Sequence, residues 1–232
     1  MLGMAKNARL RLNPDGDLFG RYFKDLSQTA FRSEKRERVE FGEVVQGKGK
    51  TMKEYQLGQA LVMNRMNGEP AEESGIAVLK RDGEKLVVTA AMTDSDIFNT
   101  AQKKNERTWT TGDALEFFFQ PAGREDYFEL HVTPNEQTLE LHIPSVEQLR
   151  IIPFEKQFFD SGFKYSAEVL DGQWKARMEI PFSAFGISEV KGARFTICRY
   201  NWNKKWEEPE LTTISLFTNG TFHSPDEWFT IQ

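Results

Sequence analysis

Hydrophobic and polar positions along this chain follow two periods, and the change falls near Val39. Before it, Phe19, Tyr22, Phe23, Leu26 and Ala30 recur at the spacing of one helix face, with Asp15 or Asp17 placed to cap the start. That helix runs into the mixed charges of residues 32–38, which read as a solvated helix end. After Val39 the period is two. Alternation and β-branched or aromatic enrichment predict strands over 39–45, 55–63, 75–80, 85–92, 114–120, 127–133, 138–143, 165–170, 174–180, 195–202 and 211–217. Asp82-Gly83 and Asp171-Gly172 sit between neighbouring strands as hairpin signals. Many short strands and few helices predict an all-β fold, an antiparallel, jelly-roll-like β-sandwich over 39–232, with an N-terminal helical extension over 1–38.

The pattern also assigns faces. In 127–133, Phe128, Leu130 and Val132 oppose Glu129, His131 and Thr133; in 138–143, Leu139, Leu141 and Ile143 oppose Glu140 and His142. If one apolar face is shared, the register sets His131 opposite Glu140 and Glu129 opposite His142. Such pairs contribute only ~0.2–1 kcal/mol, and decoration of a solvated sheet face is the plain explanation. The functional alternative is a polar platform that hydrogen-bonds hydroxyl groups. A zinc site from these two His and two Glu lacks a compact ligand motif.

Composition narrows the class. The 232 residues, 39% of them hydrophobic, are enough for one large packed β-domain, and 19 Phe favour sheets over helical bundles. A net charge of −5 argues against a nucleic-acid surface. No apolar run reaches the ~20 residues of a membrane span, and the first residues lack the apolar stretch of a secretory signal. Cys198 is the single cysteine, so no intrachain disulfide exists. Gly42 to Gly49 nearly imitates a phosphate loop, but Gly49 stands where the magnesium-binding Ser/Thr belongs. Neither a Gly-x-Ser-x-Gly nor a His-Glu-x-x-His sequence occurs.

What chemistry is visible concerns aromatics beside polar strand faces. Trp109 follows a polar stretch and precedes Asp113 and Glu116; Phe222 lies in a second polar loop before His223. A sugar ring stacks its CH-rich face on an aromatic while carboxylates and amides engage its hydroxyls, with charge-assisted hydrogen bonds of ~1.5–3 kcal/mol. Each residue also has a structural reading: Trp109 as a core cap, His223 as a loop fastener. Trp174, alternating with Ala176, Met178 and Ile180, reads as core. Asp94 and Asp96 are candidate calcium ligands, although acidic turns are commonly only turns.

The order Trp109-Thr-Thr-Gly-Asp113-Ala-Leu-Glu116-Phe, an alternating Tyr/Phe strand, a strand ending in Ile180-Pro181 and a final Phe222-His-Ser-Pro225 resembles the family 9 carbohydrate-binding modules, which are related to DOMON-like sandwiches. The resemblance covers about residues 40–232. It implies a non-catalytic β-sandwich that holds the end of a sugar chain between two aromatic rings, as an extracellular or periplasmic accessory within a larger polypeptide or assembly. By position, Trp109 and Phe222 match the two clamp rings, Glu116 a hydroxyl contact and His131 a hydrogen-bonding position; Arg199 and Asn201 are weaker candidates at the same end. Two departures stand out: the second ring is Phe, not Trp, and the Trp-to-Asp spacing is one residue longer. Related sandwiches carry haem through Met and His, yet nothing pairs Met63, Met66 or Met92 with a histidine here. The competing class is an interaction or structural domain that keeps the sandwich without sugar binding.

Overall fold

The computed structural model describes residues 54–232; the expected N-terminal helix, the 39–45 strand and the phosphate-loop look-alike lie outside the described residues. Among the described residues there are twelve strands: β1 (Glu54–Tyr55), β2 (Ala60–Arg65), β3 (Gly75–Asp82), β4 (Lys85–Thr93), β5 (Ala114–Gln120), β6 (Tyr127–Val132), β7 (Thr138–Ile143), β8 (Lys164–Leu170), β9 (Gln173–Pro181), β10 (Arg194–Asn201), β11 (Glu210–Thr213) and β12 (Phe229–Ile231). They run in the order β7-β6-β5-β10-β11-β2-β3-β4-β9-β8, with β12 beside β10 and β1 beside β12. All pairings are antiparallel except β1 with β12. β2 serves both layers: Ala60 to Met63 pair with β3, and its last residues Asn64 and Arg65 with β11. The sheet curls there, and its two halves close as a sandwich.

Between the layers sits the main core. Leu79, Leu86, Val88, Trp174, Met178 and Ile180 come from one layer, and Leu115, Phe117, Phe119, Leu130, Phe195 and Ile197 from the other. Each set occupies alternate positions of its strands, so period two alone places it. Trp174 is fully buried, as its alternation predicts. Both Asp-Gly turns form hairpins, with Gly83 and Gly172 at positive φ. The expected 55–63 strand is split by a turn at Leu57 and Gly58, and the last sequence-predicted strand ends at Thr213, after which 214–228 becomes a loop.

The β6–β7 register corrects the sequence expectation. His131 pairs with Leu139 and Glu129 with Leu141, one residue from the anticipated match. The expectation assumed one shared apolar face. Here the connection has Glu136 at φ 60, and Leu139, Leu141 and Ile143 lie on the face opposite the main core. His142 stacks instead on Phe128, 4.6 Å between ring centroids, and bonds Asp126 at 2.7 Å. Glu140 pairs with Lys104 at 2.5 Å and accepts the Ser161 amide. The pairs from which a four-residue zinc site would be built therefore do not meet.

Candidate functional site

Both faces of the β7-β6-β5-β10 sheet are buried. On the face away from the sandwich interior, Phe118, Tyr127, Leu139, Leu141, Ile143 and Cys198 are covered by Phe217, Phe222 and Trp228 from the 214–228 segment, with Leu149, Phe154 and Phe158 packed from the other side. Between these covers opens a cleft of about 630 Å³. Its floor is the sheet itself, its walls include Trp109, Phe154 and Phe222, and Leu149 to Pro153 form a lip.

The floor carries ionisable groups because register aligns them. Cys198, Glu116, His131 and Leu139 lie in one cross-strand row; Thr196, Phe118, Glu129 and Leu141 form the next. Glu116 and Glu129 are thus diagonal neighbours on one face, near enough for side chains to interact. His131 Nε2 stands 2.6 Å from Glu129 Oε1 and 3.3 Å from Glu116 Oε1, and its Nδ1 is 2.7 Å from Thr108 Oγ1. All three are buried. Burial pushes the Glu116 carboxyl up to about 8, opposed by His131 and reinforced by the charge of Glu129. For Glu129, burial works upward, but the His131 hydrogen bond and the charges of His223 and His131 hold it below the usual range. His131 is raised: burial opposes its charge, and the two carboxylates more than compensate. His223 closes the group, its Nε2 3.8 Å from Glu129 Oε2 and its Nδ1 2.9 Å from the Tyr127 hydroxyl.

Trp109 is held by its own loop. The 3-10 turn Thr108–Thr110 is tied down where the Asn99 side-chain amide donates to the carbonyls of Thr108 and Asp113, at 2.9 and 3.0 Å. Trp202 Nε1 donates to the Trp109 carbonyl at 2.8 Å, and Asp113 accepts the amides of Phe98 and Trp202. Gly112 is required: its φ is +143, and an added Cβ would meet the Phe98 carbonyl oxygen at 2.4 Å. The half-buried indole lies edge-on to His131 and Phe154, 5.8 Å from each. Arg107 covers the Phe154 ring at 4.5 Å.

Four of the sequence candidates converge here: Trp109, Glu116 and Phe222 line the cleft, and His131 lies beneath it. Their exposure differs from expectation. Phe222 is 5% exposed and packs against Phe118, Phe217 and Tyr200, so it is chiefly a core residue whose edge reaches the cleft, a correction to its reading as an exposed ring. His131 has no exposed surface and acts through Glu129, Glu116 and Thr108.

Arg199 and Asn201 do not join the cleft. Alternation turns them, with Phe195 and Ile197, to the opposite face of β10, where Arg199 bonds Asp94 at 2.8 Å and Asn201 at 2.6 Å, and Asn201 bonds Glu73. Asp94 is consumed by this ion pair, and Asp96 is paired with Lys204 at 2.8 Å. Calcium needs a shell of oxygen ligands; a guanidinium and an ammonium already neutralise these two, so the residues do not fit a calcium site. Sequence reasoning set aside two residues that matter, Glu129 and His223, and missed the 149–154 lip. Glu129 was visible as the strand neighbour of His131, but only the cover on that face separates it from decoration.

Fold and site together define a β-sandwich with a ligand-sized cleft on a doubly covered sheet face. No family model matches the chain, and no curated protein matches it. Among solved structures it is similar to a candidate carbohydrate-binding protein from Bacteroides uniformis, at 17% identity and a TM-score of 0.60 over 75% of this chain and 85% of that one. It is also similar to a family 9 carbohydrate-binding module from Caldicellulosiruptor kristjanssonii solved with cellotriose, at 14% identity and a TM-score of 0.51 over 73% and 80% of the two chains. The same family's structure with glucose gives 12% and 0.51, over 74% and 84%. The fold is therefore that of the family 9 modules. Among the described residues, no helix is long and apolar enough to cross a membrane.

Proposed function

We propose that this protein binds carbohydrate without transforming it, in the cleft between Trp109 and the Phe222–His223 loop. The observation that carries this reading is the pairing of a half-buried indole wall with a floor of carboxylates inside a cleft of about 630 Å³, within the ~300–1,000 Å³ range of small-molecule sites. The indole offers a face to sugar CH groups, and Glu116 and Glu129 supply hydrogen-bonding groups for its hydroxyls. The fold shared with modules solved with glucose and cellotriose supports it. Phe222 contributes a buried edge, so the contact is a one-sided platform on Trp109 more than a two-ring clamp.

What supports binding without chemistry is that Glu116 and Glu129 both converge on the one Nε2 of His131, whereas the two carboxyls of a glycosidase flank the scissile bond. The protein would serve as an accessory module of a larger extracellular or periplasmic assembly.

The test is a glycan array followed by calorimetric titration of wild type and Trp109→Ala. Binding that is lost in the folded variant supports the platform and identifies the sugar class. A folded wild type that binds no glycan would sink the proposal in favour of an interaction domain.

A further inference from the structure

We propose that Glu116, Glu129 and His131 form a binding site for one divalent transition-metal ion of the Zn²⁺ type, open to the cleft above. Among the described residues these three present one nitrogen and two carboxylate oxygens within 4.8 Å of one another, all from buried side chains. Bonds of about 2 Å to a shared ion need only a small side-chain rotation from that arrangement. Nitrogen with carboxylate oxygen is a donor set that zinc and its neighbours accept, and three protein ligands leave a position for a fourth from the cleft.

A second observation points the same way. Glu129 Oε2 is buried, at 4% exposure for the residue, and has no hydrogen-bond partner. An orphaned carboxylate oxygen in the interior is costly and calls for a partner. His223 Nε2 stands 3.8 Å from it, beyond hydrogen-bond reach. One divalent ion matches the two carboxylates in charge with His131 neutral, taking the place of the protons that the cluster otherwise holds. The surroundings are arranged for that state: with Nε2 on the ion, Nδ1–H donates to Thr108 Oγ1 at 2.7 Å, the outer hydrogen bond that orients a ligating imidazole.

The test uses the full chain and no carbohydrate, so its outcome is independent of sugar binding. Chelator-stripped protein is titrated with Zn²⁺ by calorimetry and with Co²⁺ by visible absorption. The expected result is one equivalent of either ion, with the intense bands of low-coordinate Co²⁺. Glu129→Gln abolishes uptake, Thr108→Val weakens it about 10–100-fold, and His142→Ala leaves it unchanged. If circular dichroism shows Glu129→Gln unfolded, Glu116→Gln replaces it, and the wild-type Co²⁺ spectrum stands as a separate readout. Absence of stoichiometric uptake by folded wild type overturns the site. So does full uptake by the glutamine variants, or a loss caused by His142→Ala.

Discussion

Replacing Arg199 by Met separates a structural role from a ligand-binding one. The guanidinium has no exposed surface and donates to the carbonyls of Glu73 and Thr93, at 3.2 and 2.9 Å, and to Asp94 and Asn201, at 2.8 and 2.6 Å. Methionine fills much of the volume but donates nothing, so four acceptors, those of Asp94 and Asn201 buried, lose their donor and Asp94 keeps a buried charge beside Asp113. Removing one partner of a buried ion pair costs about 3–5 kcal/mol, mostly from the stranded charge. At roughly 2–4 °C per kcal/mol for a domain of this size, the melting midpoint falls by roughly 6–20 °C. Guanidinium unfolding followed by circular dichroism should show a lower midpoint at unchanged slope. Arg199→Met/Asp94→Asn should recover part of the loss, with a coupling above ~1 kcal/mol. Any sugar affinity of the folded variant should match wild type, because the network lies on the other face of β10 from the cleft. A stability loss under ~1 kcal/mol, or an affinity loss at full stability, would refute this argument.

Phe222→Ala should destabilise the fold by about 3–5 kcal/mol, as truncation of a buried aromatic does; unchanged stability in denaturant melts would restore the exposed-ring reading. Gly112→Ala places a methyl group against the Phe98 carbonyl and the Asn99 Cα, so we expect a lower melting midpoint and changed Trp109 fluorescence; wild-type values for both would argue against the tight loop. Stability should also fall as pH rises from about 4 to about 7 through Asp113. Burial, and secondarily the charge of Asp94, lifts its carboxyl from 3.8 to about 7, against two backbone amides and Arg199. The folded state then binds this proton more tightly than the unfolded state, so the contribution is greatest below the unfolded value and is lost up to the folded one. Urea midpoints measured across that range should slope less in Asp113→Asn; an identical slope would remove Asp113 as the cause.

Much of the architecture was legible because a sheet buried on one face imprints its period on the chain. Strands β5 and β7 were located to the residue, and β3, β4, β6, β8, β9 and β10 to within two residues at either end. The β6–β7 register and the exposure of Phe222 depended on which faces are covered, whereas the orientation of Arg199 and Asn201 follows from strand alternation. The resemblance placed Trp109, Glu116, His131 and Phe222 at one site, and the structure gathers them at one cleft. It also suggested Arg199 and Asn201, whose strand positions point them elsewhere.

By itself, the amino-acid sequence determined the β-class, the hairpins at Asp-Gly and the main core, because side-chain alternation and turn chemistry are local properties. Tertiary structure decided the second core, the cleft and the cluster on its floor. Glu116, Glu129 and His131 come from two strands whose register is settled by long-range packing, and their chemistry comes from burial under loops far away in the chain. A carboxylate on a strand reads as solvated decoration until another segment excludes the water above it. That exclusion is a property of the assembled fold, and no local pattern encodes it.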